Sequence, residues 1–263
     1  MLPHFQTASK EQLKHARRVR EGRECDLIFV EGLRLVEECQ RSGLMIERCF
    51  VSTSANERAQ SLLTQLGNRG VPIFTAEQHV LESLGDTVQS QGIIVIAQRP
   101  QFTQADLFQT GHSLFLGLDR VQDPGNMGTL IRTAEAAGVG GLVALGGSAD
   151  VFSPKVLRSS MGSAFRLPVL ADVTLEHLLN LRSERSLKIV AAAGDGTVDY
   201  ADYDWRQPTL LILGNEAQGV DAQLLAQCDA SLRIPMAQNV ESLNVATAGA
   251  VMLFEAARQR RGR

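Results

Sequence analysis

Three short polar turns carry the residues best suited to chemistry in this chain. They are residues 119–126 (DRVQDPGN), residues 214–219 (GNEAQG) and the stretch IPMAQNVESLN at 234–244. Each follows an apolar run and is rich in Asn, Gly or Ser. Such turns offer many backbone N–H and C=O groups and few ionisable ones. That suits a ligand with amide-like edges, such as adenine, and a reaction run mainly by positioning. Each turn also has an ordinary reading taken singly. Gly-Asn turns routinely end strands. Glu216 fits a solvated turn, and Asn244 fits a cap with Ser242 as the entry to the last helix.

The better-known phosphate and metal motifs are absent. A dinucleotide fingerprint needs three glycines at fixed offsets after a strand, and residues 118–131 hold only Gly125 and Gly128. Gly138, Gly140 and Gly141 follow the next helix instead of opening one. There is no G-x-x-x-x-G-K-[ST] and no H-E-x-x-H. His4, His15, His79, His112 and His177 are scattered, and Cys25, Cys39, Cys49 and Cys228 show no C-x-x-C pairing. A reduced, cytoplasmic chain with no metal is expected. No apolar run reaches the ~18 residues of a membrane span, and the N-terminus lacks the apolar core of a secretory signal.

The net charge of −3 is no signature of a nucleic-acid-binding protein, but the distribution is uneven. Residues 10–23 carry Lys10, Lys14, Arg17, Arg18, Arg20 and Arg23 against two glutamates, and the C-terminus adds Arg258, Arg260, Arg261 and Arg263. Such clusters can neutralise phosphates; a solvated helix face and a frayed tail are the plain alternative.

The elements that must position the turns follow from periodicity. Over residues 1–98, strands at 26–32, 46–52, 72–76 and 92–98 alternate with helices, which predicts a small α/β domain. Residues 99–111 are polar and read as a linker. From 112 the pattern restarts and runs to 263. Near-continuous apolar strands between helices predict a mostly parallel sheet covered on both faces. Asn126 is expected to cap the helix after 119–126, with Gly138 as its stop. Ligands of such sheets bind beyond the carboxyl ends of the strands, which puts the three polar turns on one rim.

Read in order, the segments resemble the signature motifs of the SpoU family of RNA ribose methyltransferases, in the SPOUT superfamily. NMGTLIRTAEAAGV (126–139) is similar to the first, LILGNEAQGV (211–220) to the second and IPMAQNVESLNVATAGAVMLFE (234–255) to the third. SPKVLRSSMGSAFRLPV (153–169) fits between the first two. Residues 8–98, with FVEGLRLVEE and GIIVIAQ, look like the substrate-binding domain often attached to this family.

The resemblance implies an α/β fold: a parallel-sheet domain ending in a trefoil knot, an exception to the rule against knots, plus the smaller N-terminal domain. It implies a homodimer with S-adenosylmethionine as cofactor and methyl transfer to a ribose 2′-hydroxyl. Ribosomal RNA is the favoured substrate, with transfer RNA or a silent RNA-binding homologue as alternatives. By the match, the backbone around Leu213, Gly214, Ile234, Met236 and Leu243 holds the cofactor. Asn126, Arg132, Glu216, Ser242 and Asn244 form the polar catalytic set, and Arg17, Arg18 and Arg20 are the candidate RNA contacts. A guanidinium stays protonated in proteins and has no acceptor, so Arg132 suits stabilisation of a 2′-oxyanion better than proton abstraction. The competing structural role is an ion pair with Asp119 or Glu135. Ser242 and Asn244 can orient the hydroxyl, and Glu216 can fix Asn126 or Arg132. Ala246, Ala248, Gly249 and Ala250 suit a knot, a dimer seam or simple sheet packing alike.

Overall fold

A computed structural model describes residues 5–53, 57–85, 92–109, 111–237, 240 and 242–261. The end of the short helix that HVLESLGDT (79–87) predicts, one linker residue (Thr110), three residues of the third polar turn (Gln238, Asn239, Glu241) and Arg263 lie outside the described residues. The chain divides into two compact units. One comprises Met1–Gln101 and Phe152–Phe165, the other Phe102–Val151 and Arg166–Arg263.

The first unit runs β1 (Gln6–Thr7), α1 (Lys10–Arg20), β2 (Leu27–Glu31), α2 (Leu33–Arg41), β3 (Ile46–Ser52), α3 (Glu57–Asn68), β4 (Ile73–Ala76), α4 (Gln78–Leu84) and β5 (Ile93–Gln98). Its five-stranded sheet has the order β1-β4-β3-β5-β2. β5 is antiparallel to both neighbours, because the chain returns through the middle of the sheet. β1 escapes periodicity because a two-residue strand has no period. Phe29, Phe50, Ile94 and Ile96 form the core with Ala16 and Val19 of α1. Ser9 and Gln12 close a capping box on α1.

The second unit continues with α5 (Gln104–Leu107), β6 (Leu114–Leu118), α6 (Pro124–Ala137) and β7 (Leu142–Leu145). α7 (Pro154–Ser160) counts with the first unit, where Arg158 Nη1 lies 3.5 Å from a carboxylate oxygen of buried Glu31 on β2. β8 (Val169–Val173), α8 (Leu175–Arg185), β9 (Lys188–Ala192), β10 (Val198–Asp199), β11 (Thr209–Leu213), α9 (Ala222–Leu225), β12 (Ala230–Arg233) and α10 (Val245–Arg260) complete the second unit. Its seven strands have the order β10-β12-β9-β11-β6-β7-β8, and every pairing is parallel. β6, β7 and β11 are buried along their whole length, as sheets covered on both faces require.

One local expectation is corrected. The cap of α6 is Asp123, whose carboxylate accepts from Asn126 N at 2.8 Å; Asn126 already lies inside the helix. Pro124 sets this boundary: its fixed φ and missing N–H suit the first helical position. Gly138, at φ 79°, ends the helix as expected. The Asn126 side chain is thereby released from capping.

Candidate functional site

Because all strands of the second unit are parallel, their carboxyl ends share one edge. Chain order there switches where the first strand, β6, lies beside β11, and such switch points open a crevice for ligands. A cavity of about 770 Å³ lies on this edge. It is lined by residues 192–195 at the end of β9, residues 213–220 at the end of β11, Ile234 and Met236 after β12, and residues 242–245 at the start of α10. The structure thus gathers Leu213, Gly214, Ile234, Met236 and Leu243 around one space, with Glu216, Ser242 and Asn244 on the same wall.

Asn126, Glu216 and Asn244 form one hydrogen-bonded chain that joins the first turn of α6, the turn after β11 and the cap of α10. Asn244 Nδ2 donates to Asn126 Oδ1 at 2.9 Å, and Asn126 Nδ2 donates to Glu216 Oε1 at 3.0 Å. Its direction is forced at both ends. An ionised carboxylate only accepts, so Asn126 must present its amide nitrogen to Glu216 and its oxygen to Asn244. At the other end, Asn244 Oδ1 caps α10, accepting from Ala246 N at 2.9 Å and Thr247 N at 3.3 Å. Asn244 thus caps α10 with its amide oxygen and reaches Asn126 with its amide nitrogen.

Glu216 also accepts from Asp123 N at 3.2 Å and Gln122 N at 3.4 Å, tying the turn after β11 to the start of α6. Partial burial pushes this carboxyl up, but the hydrogen bonds from Asn126 and the backbone outweigh it, and the pKa lies below the ordinary glutamate value. A depressed pKa stabilises the fold above the unfolded-state value, and that contribution is lost as pH falls through the folded-state value. Glu216→Gln is accordingly expected to melt below the wild type near neutral pH, with the gap closing on acidification. Thermal denaturation at several pH values checks this; a gap that widens in acid would contradict it.

Beneath this chain the loops are pinned by charge. Asp119, 3% exposed, pairs with its neighbour Arg120 through two hydrogen bonds of 3.0 and 3.1 Å and accepts from Asp221 N at 2.7 Å. Arg120 has φ 55°, and its carbonyl accepts from Asn215 Nδ2 at 2.9 Å. Asn215 and Gly219 close the turn between them with bonds of 3.0 and 2.9 Å. Gly214 must be glycine here: a Cβ would stand 2.2 Å from the Gly219 carbonyl carbon and the Val220 nitrogen.

Arg132 does not join this group. It lies six residues beyond Asn126, ~9 Å along the axis and about a third of a turn around it. It is exposed on the helix face that also carries Thr129 and Ala136 and is not among the cavity-lining residues. Its structural alternatives are also taken, since Glu135 pairs with Arg166 at 2.6 Å and Asp119 with Arg120. In the first unit Arg17 and Arg18 are exposed, and Arg18 pairs with Glu24 at 2.8 Å. Arg20 instead donates to the Leu84 and Gly85 carbonyls at 2.8 and 3.4 Å, holding the end of α4.

Residues 192–195, including Asp195, are a part of the cavity that motif reading missed. The signal was present: AAAGDG also follows an apolar strand, and the strand-end rule applies to it as well as to the other turns.

Comparison with known proteins agrees with this geometry. Residues 113–254 match the model of the SpoU rRNA Methylase family, and residues 29–103 match that for RNA 2′-O ribose methyltransferase substrate binding. The chain is 34% identical to an uncharacterized tRNA/rRNA methyltransferase of Synechocystis, over 95% of this chain and 90% of that one. It is 30% identical to the 23S rRNA (guanosine(2553)-2′-O)-methyltransferase RlmP of Bacillus subtilis, over 96% and 98%. Among solved structures, the SpoU methyltransferase AviRb from Streptomyces viridochromogenes, in complex with the cofactor AdoMet, superposes with a TM-score of 0.86 at 27% identity, covering 96% of this chain and 99% of that one. With a family model over more than half of its length and relatives matched over nearly all of it, the chain belongs to the SpoU rRNA methylase family.

Proposed function

We propose that this protein transfers a methyl group from S-adenosylmethionine to a ribose 2′-hydroxyl of RNA, with ribosomal RNA as the favoured substrate class. The observation that carries the proposal is the Glu216–Asn126–Asn244 chain, whose two ends line a cavity formed by the strand-end turns. The cavity fits the cofactor. Its volume is in the range of small-molecule sites, its walls offer peptide edges to an adenine, and its ionisable lining groups among the described residues are the acids Asp195 and Glu216. When bound, S-adenosylmethionine supplies an activated methyl group on a sulfonium.

The protein's share is then positioning. Leu213, Gly214, Ile234, Met236 and Leu243 hold the cofactor. Ser242 and Asn244 orient the ribose, and Glu216 fixes Asn126. Arg132 stabilises the oxygen as its proton passes to solvent water. Since Arg132 is exposed on α6 away from the cavity lining, we assign it to the cavity of a second copy in a homodimer. Phe254, 48% exposed on α10, which packs against α6, supports a contact surface there. The C-terminal knot belongs to the same reading, supported by the close approach of α10 to Leu130 and Leu213 at Gly249. A cytoplasmic site of action suits an RNA substrate. No described helix is long and apolar enough to cross a membrane, and no described group of His, Cys, Asp or Glu could hold a metal.

Calorimetric titration with S-adenosylmethionine tests the cofactor, and mass-spectrometric mapping of RNA from cells with and without the protein tests the product. Absence of binding heat, or of any methylated ribose that disappears with the protein, would sink the proposal. For the substrate unit, Arg17→Ala with Arg18→Ala is expected to raise the KM for RNA and flatten its salt dependence, by roughly one unit of log–log slope for each phosphate left unneutralised. Arg20 is left in place because it holds α4. An unchanged slope would move RNA binding elsewhere.

A further inference from the structure

We propose that Asp195 makes this cavity favour the charged methyl donor over its uncharged product. The inference rests on S-adenosylmethionine being the cofactor. Among the described residues no Lys, Arg or His lines the cavity, and the ionisable groups that do are Asp195 and Glu216. Glu216 is occupied by Asn126 and two backbone N–H groups. Asp195 is exposed and has no hydrogen-bond or ion-pair partner among the described residues. Its carboxylate is the one whose charge is left for a ligand.

The turn that carries Asp195 is built, not loose. Gly196 N donates to Ala193 O at 3.1 Å, and Arg233 Nη1 donates to the Gly196 carbonyl at 2.8 Å. A Cβ on Gly196 would stand 2.6 Å from the Leu232 carbonyl carbon, so this turn sits directly on the end of β12. Arg233, the cation that holds this turn, is committed to that carbonyl.

The two ligands differ by one charge. S-adenosylmethionine carries a sulfonium, an ammonium and a carboxylate, net +1. Its product, S-adenosylhomocysteine, lacks the methyl group and the sulfonium charge and is net neutral. The described lining of one copy is acidic and holds no cation, and the partner's Arg132, assigned to the ribose oxygen, is present with either ligand; Asp195 therefore shifts the balance toward the first, so the product is released and the donor retained. One added unit charge near a partly solvated carboxylate changes affinity by about threefold to tenfold.

The test is calorimetry on the full chain with S-adenosylmethionine, S-adenosylhomocysteine and sinefungin, in which an amine replaces the sulfonium and keeps a positive charge. Asp195→Asn should weaken the first and third by about threefold to tenfold and the neutral product by less than about twofold. Asp195→Glu should keep the preference. Thermal denaturation checks that both variants fold. Equal weakening of donor and product would overturn the proposal, placing Asp195 against a part both share, such as the adenosine hydroxyls. No change for any ligand would overturn it too. A wild-type protein that binds none of the three would instead sink the cofactor reading, and the assignment of Asp195 with it.

Discussion

Arg132→Ala is expected to bind S-adenosylmethionine as the wild type does and to lose methyl transfer by about a hundredfold to a thousandfold, the cost of removing one donor aimed at a developing oxyanion. The two halves have separate grounds. Arg132 is assigned to the ribose oxygen and not to the cofactor, and it does not line its own copy's cavity, so cofactor affinity has no reason to change. It is exposed, and its candidate partners Glu135 and Asp119 pair with other arginines, so stability should move by no more than ~0.5 kcal/mol. What remains for a cation at this position is the reaction. Calorimetry, thermal denaturation and single-turnover methylation separate the three quantities. Arg132→Lys should recover only part of the rate, because an ammonium lacks the planar fork of a guanidinium. Mixing Arg132→Ala with a variant unable to bind cofactor tests the assignment to a second copy. If Arg132 serves the neighbouring cavity, mixed dimers hold one complete site and regain activity; if it serves its own, they regain none. Near-wild-type activity in Arg132→Ala would remove this residue from the catalytic set.

Gly214→Ala is expected to damage both the fold and the cofactor site. The added Cβ would meet backbone atoms at 2.2 Å and the Gly219 oxygen at 2.5 Å, and backbone cannot swing aside as a side chain can. The two arms of the turn must part, which breaks the Asn215–Gly219 pairing and shifts the wall that Leu213, Gly214 and Glu216 provide. Overpacking of this kind costs about 1–3 kcal/mol, or roughly 2–4 °C in Tm per kcal/mol for a chain of this size. Affinity for S-adenosylmethionine should fall at least about tenfold, since a displacement near 1 Å at a positioning site has effects of that size or more. Gly146→Ala is the control. It follows β7 on the same edge, has a negative φ and would place its Cβ in open space, so it should leave both quantities unchanged. A Gly214→Ala protein with normal melting and binding would mean that the turn opens freely, contrary to its closed pairing.

Much of this protein is legible in its sequence because the governing physics is local or periodic. Burial on both faces makes β6 and β11 unbroken apolar runs, so they stand out without any knowledge of their neighbours. The strand-end rule then locates the rim, and the SpoU resemblance rests on short segments whose order survives in one dimension. Capping is local too, yet Asn126 and Asp123 show its limit. Both are good caps, and only the fixed geometry of Pro124 between them decides in favour of Asp123.

Tertiary structure alone decides which polar groups meet. Asn126 finds Glu216 at 90 residues' distance and Asn244 at 118. Nothing in either turn specifies that pairing, because it depends on β6 lying beside β11 and on α10 folding back against α6. For the same reason the sequence set Arg132 among the catalytic residues but not away from the cavity lining, and Arg20 among the basic residues but not at the end of α4. Periodicity determines which face of an element is apolar; the partner on the polar face is chosen by how distant elements pack, and a linear pattern does not contain that information.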